Sequence, residues 1–397
     1  MDSRDVEPAP GSGPADAKLG DIAAAAGLRR IHLLAWRDLD DPEAGGSELH
    51  AHMIAARWAR AGLEVTMRTS FAADHPQVSH RDGYRVIRKA GRYLVFPRAA
   101  LAERAGFHGP SDGLVEIWNG MPFFSPLWAR GPRVVFLHHL HAEMWNMTLS
   151  PDLARLGRFV EARLAPPLYR RTSIVTLSES SKQELVSEMG FRAARVRVVP
   201  PGVDARFSPG AEQAPRPTVL AVGRLVPVKR FHALLDALVE LRTRIPDLEA
   251  IIVGEGYERE AIEARRRDAD AEDWLHLAGR VDDDTLLELY RRSWVLTSAS
   301  AREGWGMTIT EAAACGTPAV VTDIAGHRDA VVADQSGLLV ADPHQLADAL
   351  GRVLTDSTLR ARLGDGALAR AAECSWDATA VGTLEALAAD AVRRRSA

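Results

Sequence analysis

The stretch AREGWGMTITEAAACGTPAVV, residues Ala301–Val321, follows one short apolar run, Trp294–Ser298, and closes on another, Pro318–Thr322. Each run has the length and composition of a strand buried in a parallel sheet. Between them lie a carboxylate, Glu303, a turn of little bulk, Gly304-Trp305-Gly306, and a helix-forming segment with a second carboxylate, Glu311. Strand, glycine turn, helix and strand make the repeating unit of a doubly wound α/β fold. The N–H groups at the start of such a helix lack intrahelical partners, and that end suits phosphate. Carboxylates on either side can hold hydroxyl groups, so the window has the outline of a diphosphate site with a hydroxyl-bearing group at each end. A plain strand–loop–helix unit with Glu303 and Glu311 in water accounts for this window equally well.

The same unit recurs along the chain. Ile31–Trp36 reads as a strand, and Gly45-Gly46-Ser47 leads into a helix through Arg60 with Ser47 as its N-cap. Gly62 stops that helix, and Leu63–Met67 is the next strand. Two adjacent glycines let backbone approach a ligand at the strand's end, although a tight turn alone would also require them. Tyr84–Arg88 and Tyr93–Phe96 are expected as strands and Ala99–Ala105 as a helix. Leu114–Trp118 is a strand ending in Asn119, and Val134–Leu137 one ending in His138-His139-Leu140-His141. Neighbouring residues at a strand end rarely converge on one ion, and no acid or cysteine lies at ligand spacing, so these histidines do not indicate a metal. One imidazole at the carboxyl end of a strand is the better reading.

Pro151–Arg171 is a helical pattern with Leu153, Leu156, Phe159, Val160 and Leu164 among Arg155, Arg158, Arg163, Arg170 and Arg171. It reads either as a face for anionic lipid or an anionic acceptor, or as an amphipathic helix with its apolar side in the core, and the core reading is preferred. Ser208–Pro217 is rich in Pro, Gly and Ala and marks a domain boundary. Beyond it the pattern restarts with Thr218–Val222, then Gly223-Arg224 and, five residues after Arg224, Lys229. Two cations leaving a strand can neutralise a diphosphate, or simply be surface charges. Gly254-Glu255-Gly256 and Gly279-Arg280-Val281 follow further strands.

A chain of 397 residues, 46% hydrophobic and 26% charged, has the size and balance of two globular α/β domains. A net charge of −4 gives no footprint for nucleic acid. Two cysteines, Cys315 and Cys374, make neither a disulfide framework nor a zinc pattern, in keeping with a reducing cytoplasm. No apolar run is long enough to span a bilayer. Residues 1–27 are expected as a disordered tail, 28–200 as the first Rossmann-like domain, 201–375 as the second, and 376–397 as a C-terminal helix packing back on the first.

Taken in order, Gly45-Gly46, Arg224…Lys229, Gly254-Glu255-Gly256, Gly279-Arg280-Val281 and Arg302–Pro318 all recur at strand ends, where a ligand is expected to lie, and the set resembles the retaining GT-B glycosyltransferases of family 4. The resemblance covers most of residues 30–375. Arg302–Pro318 carries the family's two glutamates, Glu303 and Glu311, and the Ala-Cys-Gly-Thr-Pro run after them; Pro201-Gly202-Val203-Asp204 is similar to its linker. The fold implied is GT-B, two tandem Rossmann-like domains with the active site in the cleft between them. The implied reaction moves a hexosyl unit, with retention, from a nucleoside diphosphate sugar, UDP- or GDP-linked, to a hydroxyl of a glycan, glycolipid or small metabolite. No cofactor and no metal are implied, and the location implied is cytoplasmic, with peripheral contact at the inner membrane face left open. The sequence does not give the oligomeric state.

The resemblance also implies roles. Gly45 and Gly46 approach the donor phosphates; Arg224 and Lys229 grip the diphosphate. Glu303 lies by the transferred sugar, and Glu311 accepts from the ribose. The turn Gly304-Trp305-Gly306, with the backbone of Met307 and Thr308, caps the distal phosphate, while Arg280 and Val281 border the base. His138, or its neighbour His139, contacts the donor sugar. Asn119, Glu143 and Trp145 are candidates for the acceptor pocket. Where the family usually has Gly-x-Pro-Glu, this chain reads Gly326-His327-Arg328-Asp329, and only a loop is expected there. A nicotinamide-dependent oxidoreductase is a weaker reading, because the third glycine of a G-x-G-x-x-G beginning at Gly254 is Arg259. An epimerase or phosphorylase of the same fold, or a non-catalytic sugar-nucleotide binder, remains as an alternative.

Overall fold

A computed structural model of the protein describes residues 13–142, 144–148, 150–210 and 212–396. It falls into two units, the first running to Gly202 and resuming at Trp376, the second spanning Val203–Ser375. The expected boundaries at 200/201 and 375/376 fall at or beside these junctions.

The first unit is built on eight strands: β1 (Arg30–Leu34), β2 (Glu64–Thr69), β3 (Val78–Arg81), β4 (Tyr84–Arg88), β5 (Gly113–Trp118), β6 (Arg133–Leu137), β7 (Ser173–Thr176) and β8 (Val196–Val198). Their order is β3-β4-β2-β1-β5-β6-β7-β8, parallel except for the β3–β4 pair. The order reverses between β1 and β5, the switch point at which doubly wound sheets bind ligands. Helices cover both faces, so every residue of β5 and β6 is buried and neither strand alternates polar with apolar. Ile31, Leu33, Val115, Val134 and Phe136 meet in one core. Full burial of such a side chain stabilises by about 1.5–3 kcal/mol.

Several expectations are corrected here. Residues 14–26 are not a disordered tail: Pro14–Ala26 is a helix ended by Gly27 at φ 67°. Its Leu19, Ala23 and Ala26 join the core beside Leu384, Leu387 and Ala391 of the C-terminal helix Trp376–Arg395, and Asp16 pairs with Arg60 at 3.0 Å. A tail rich in Ala, Gly and Pro has few side chains to bury alone, but a partner helix far along the chain supplies the missing surface. Tyr93–Phe96 is not a strand; Val95 opens the helix Val95–Arg104 and is buried with Ala99, four residues on. Gly45, not Ser47, caps the helix Gly46–Arg60. The helical pattern Pro151–Arg171 is three pieces: Pro151–Phe159, a π-helical turn Val160–Leu164, and Ala165–Tyr169. Pro166 and Pro167 cannot donate to a helical ladder, and the wide turn precedes them.

The second unit holds six parallel strands, β9 (Thr218–Val222), β10 (Glu249–Val253), β11 (Leu275–Gly279), β12 (Val295–Ser298), β13 (Ala319–Thr322) and β14 (Gly337–Val340). They lie in the order β11-β10-β9-β12-β13-β14 with the switch between β9 and β12. The loops leaving β9 and β12 therefore emerge side by side, and these carry Lys229 and Glu303.

Candidate active site

In the second unit the two loops are tied together where Ala301 N–H donates to the Val228 carbonyl at 2.8 Å. The tie brings Lys229 Nζ onto Glu303 Oε1, and the Ser300 hydroxyl donates to the same oxygen at 2.8 Å. Burial pushes the Glu303 carboxyl up, but the Lys229 charge, His327 nearby and the two hydrogen bonds outweigh it and hold the group at about 2. Glu303 is an anion at any physiological pH.

Gly304-Trp305-Gly306 then turns into the helix Met307–Ala314. Gly306 has φ 97°, in the left-handed region where a side chain is strained, so the turn calls for glycine. Trp305 is buried beneath Arg370, whose guanidinium lies 5.4 Å from its ring; only the backbone of Trp305 faces the turn. On the helix, Glu311 Oε2 accepts from the hydroxyl of buried Tyr290 at 2.7 Å. Burial pushes the Glu311 carboxyl up, and the Tyr290 hydrogen bond opposes that rise. Arg224, after β9, and Arg280, after β11, are exposed, and Val281 is half-buried. The sequence thus brings Lys229, Glu303, the glycine turn and Glu311 onto adjoining elements.

Two readings change. Gly254 and Gly256 serve the protein's own backbone: a Cβ on either would fall about 2 Å from the carbonyl of Gly223 or Leu225. They pack β10's loop under the Arg224 loop instead of meeting a ligand. The divergent loop is also more than a connector. His327 is buried and donates from Nδ1 to the Thr322 carbonyl at 2.8 Å, and its ring backs the Gly306 turn. Burial lowers its pKa, and the Glu303 charge opposes that fall.

In the first unit, Gly45 N–H donates to Glu48 Oε2 at 2.9 Å, while Glu48 Oε1 accepts from Arg37 at 3.3 Å. Gly45 and Gly46 thus open a helix whose first free N–H groups lie at the β1 end of the sheet. Asn119, at the end of β5, donates to Ser47 Oγ at 3.1 Å. His138 follows β6, and its Nε2 lies 3.2 Å from Nδ1 of His50, a residue on the Gly46–Arg60 helix. Both rings are buried. Burial lowers His50 to about 3 and lowers His138 as well, so the pair is neutral and shares one proton-mediated bond. His139 instead stacks on His141, centroids 5.2 Å apart and planes 11° from parallel. Trp145 is buried, its Nε1 donating to Glu161 Oε2 at 3.0 Å, so its ring is a wall of the unit. Glu143 lies outside the described residues.

Sequence reasoning missed His50, Glu161, Tyr290 and the part played by His327. Glu161 accepts from the backbone of His141 and Ala142 and so fixes the loop after β6. His50, Glu161 and Tyr290 lie in no motif and meet partners distant in sequence, whereas His327 lies in the divergent Gly326–Asp329 segment and bonds to nearby Thr322. Among the described residues no group of three His, Cys, Asp or Glu side chains could hold a metal ion, and no helix is long and apolar enough to cross a membrane.

Two doubly wound parallel units with phosphate-friendly turns at their switch points define the GT-B class. The solved sucrose-phosphate synthase of Thermosynechococcus elongatus shares this fold at a TM-score of 0.77 and 22% identity, over 89% of this chain and 97% of that one. Residues 204–370 match the family model for glycosyl transferases group 1, and residues 44–207 the model for glycosyltransferase family 4. A D-inositol 3-phosphate glycosyltransferase of Acidothermus cellulolyticus is 30% identical, covering 97% of each chain. One of the same name from Corynebacterium jeikeium is 32% identical over 85% of this chain and 90% of its own. The chain belongs to the GT-B glycosyltransferases of family 4 and is a transferase.

Proposed function

We propose that the protein transfers a hexosyl unit from a nucleoside diphosphate sugar to a hydroxyl acceptor with retention at the anomeric carbon. The observation that carries the reading is the Lys229–Glu303 pair beside the Gly304–Gly306 turn and Glu311. Lys229 and Arg224 meet the diphosphate, and the helix start at Met307 and Thr308 caps its distal phosphate. Glu303, held as an anion, accepts from the sugar hydroxyls, and the remaining oxygen of Glu311 accepts from the ribose. As the sugar–oxygen bond breaks, negative charge grows on the departing diphosphate, where these cations and N–H groups are already aimed. The acceptor attacks from the face the diphosphate leaves, and a phosphate oxygen takes its proton. Positive potential at this site comes from Arg224, Lys229 and the helix N-terminus, with no cofactor assigned. Acceptor recognition falls to the first unit. A phosphorylated cyclitol is the first acceptor to test, because the relatives above are named for one.

A thermal-shift screen of UDP-, GDP-, ADP- and TDP-sugars tests the donor assignment. A true donor at 100 times its Kd stabilises by about 2.7 kcal/mol. Nucleoside diphosphate released only when acceptor is present marks a transferase; release of sugar phosphate, or interconversion of the sugar without acceptor, marks a phosphorylase or epimerase. If none of the four donor classes raises the melting temperature, the donor reading is wrong.

A further inference from the structure

The apolar residues of Pro151–Arg171, expected to face the core, mostly do not. Leu153, Leu156, Phe159 and Leu164 are 51%, 54%, 56% and 44% exposed, while Ala154, Gly157 and Ala165 are buried. The hydrophobic effect alone selects the opposite arrangement, with large side chains in and small ones out. The small residues face inward because this helix lies tight on the Trp145 ring. A Cβ on Gly157 would stand 2.6 Å from that ring. At about 100° per residue, Phe159, Leu156 and Leu153 follow one another around roughly a third of the helix. Leu164 extends the apolar surface to the end of the π-helical turn, and exposed Met147 lies on the helix before.

Charge accompanies this stripe. Arg155, Arg163, Arg170 and Arg171 are exposed and Arg158 is half-buried. Against these five cations, Asp152 is the exposed acid and Glu161 is buried on the His141–Ala142 backbone. Pro151–Leu164 carries a net charge of +1 (three arginines less two acids), with Arg155 paired to Asp152, and Arg170 and Arg171 just beyond bring the segment to +3, within a chain whose net charge is −4. An exposed band of leucine and phenylalanine bordered by arginines has the two features that an anionic lipid surface recognises.

We propose that the Pro151–Leu164 face docks on the surface of an anionic bilayer. The leucines and Phe159 enter the boundary between headgroups and acyl chains, and the arginines pair with lipid phosphates. Glu161 and Trp145 join this helix to the loop after β6, so the docked surface adjoins the segment that carries His138. The inference does not depend on the donor assignment.

Vesicle flotation of the full chain tests it. The protein floats with vesicles rich in phosphatidylglycerol, stays behind with phosphatidylcholine alone, and is released by high salt. Leu156→Glu with Phe159→Glu lowers the bound fraction about tenfold or more, because two anchors are replaced by charges that the surface repels. Arg155→Glu with Arg163→Glu removes the preference for anionic lipid. All four positions are exposed, so each variant keeps the wild-type melting temperature, which is measured alongside. Wild-type protein that does not float with anionic vesicles overturns the proposal, as does equal flotation of the Leu156→Glu, Phe159→Glu variant. A wild-type dimer in sedimentation that this variant abolishes also overturns it, by giving the face to a second copy of the chain.

Discussion

Both units place a glycine turn and a helix start at the switch point of a parallel sheet, yet they spend their charges differently. In the first unit the loop from Arg37 to Gly45 is closed on itself. Arg88 reaches Asp38 at 2.7 Å and also Asp40, Arg81 reaches Asp40, Arg92 reaches Glu43 at 2.9 Å, and Arg37 bridges Glu43 and Glu48. Arg37, Arg88, Asp38 and Glu48 are almost wholly buried. In the second unit the Lys229–Glu303 pair sits partly open to solvent, and Glu311 keeps one oxygen clear of Tyr290. The first loop is a scaffold whose charges are consumed in holding shape. The second is a set of charges that can exchange partners with a ligand.

The largest effect separating them is structural. Arg88→Ala leaves Asp38 buried without its cation, and breaking such a pair costs about 3–5 kcal/mol. Denaturant unfolding should show that loss; a variant as stable as wild type would mean the network is dispensable. Lys229→Ala does the reverse, lowering turnover by about 10²–10³ when leaving-group charge loses a donor, with a smaller fall in stability than Arg88→Ala. Unchanged turnover would remove Lys229 from the chemistry.

The glycines sharpen the contrast. Gly45 sits at φ −150°, extended backbone open to any residue, whereas Gly306 at φ 97° is in the left-handed region. Gly306→Ala therefore destabilises by about 1–3 kcal/mol. Gly45→Ala leaves the melting temperature alone, and a loss of activity in that variant would show that ligand approach, not the turn, requires glycine there.

Acid separates the units again. His50 titrates near 3 when folded, against about 6.5 when unfolded. Between those values the unfolded chain binds the extra proton, so stability falls as pH drops from about 6.5 towards 3, by up to about 1.4 kcal/mol per pH unit for one imidazole. Glu303, held at about 2, contributes stability that is present above the usual carboxylate range and lost only as pH falls through about 4 to 2. His50 should thus weaken the first unit at a higher pH than Glu303 weakens the second. Urea melts from pH 7 to 4, followed by domain-resolved hydrogen exchange, check the order, and His50→Phe flattens the upper limb.

The amino-acid sequence makes the second site nearly explicit, because Glu303, the glycine turn and Glu311 lie within nine residues (303 to 311) on one strand–turn–helix unit. Local periodicity and glycine placement suffice for contacts that short. The two-domain fold is legible for the same reason. What escaped depends on pairs far apart in the chain: His50 meets His138, Glu161 meets His141, and the helix Pro14–Ala26 waits for Trp376–Arg395. Gly254 and Gly256 misled because a glycine that admits a carbonyl and one that admits a phosphate look alike in one dimension. The stripe Leu153–Leu164 misled because periodicity marks an apolar face without saying what covers it.

Tyr290 offers the smallest and most selective test. Its hydroxyl gives Glu311 Oε2 a 2.7 Å hydrogen bond from a fully buried ring, edge-on to Phe207 at 5.7 Å. Tyr290→Phe keeps the ring and removes only that donor, a change of about 1 kcal/mol. If Glu311 holds the nucleotide ribose, the loss appears as a several-fold rise in the donor KM with kcat unchanged. The missing hydrogen bond also lets burial push the Glu311 carboxyl higher. The acid limb of kcat/KM for the donor then moves to higher pH in the variant, because a protonated Glu311 accepts less well from a hydroxyl. A structural role alone lowers the melting temperature and leaves that limb in place. A donor KM and pH limb identical to wild type would take Glu311 out of the donor site while leaving Lys229 and Glu303 to stand on their own tests.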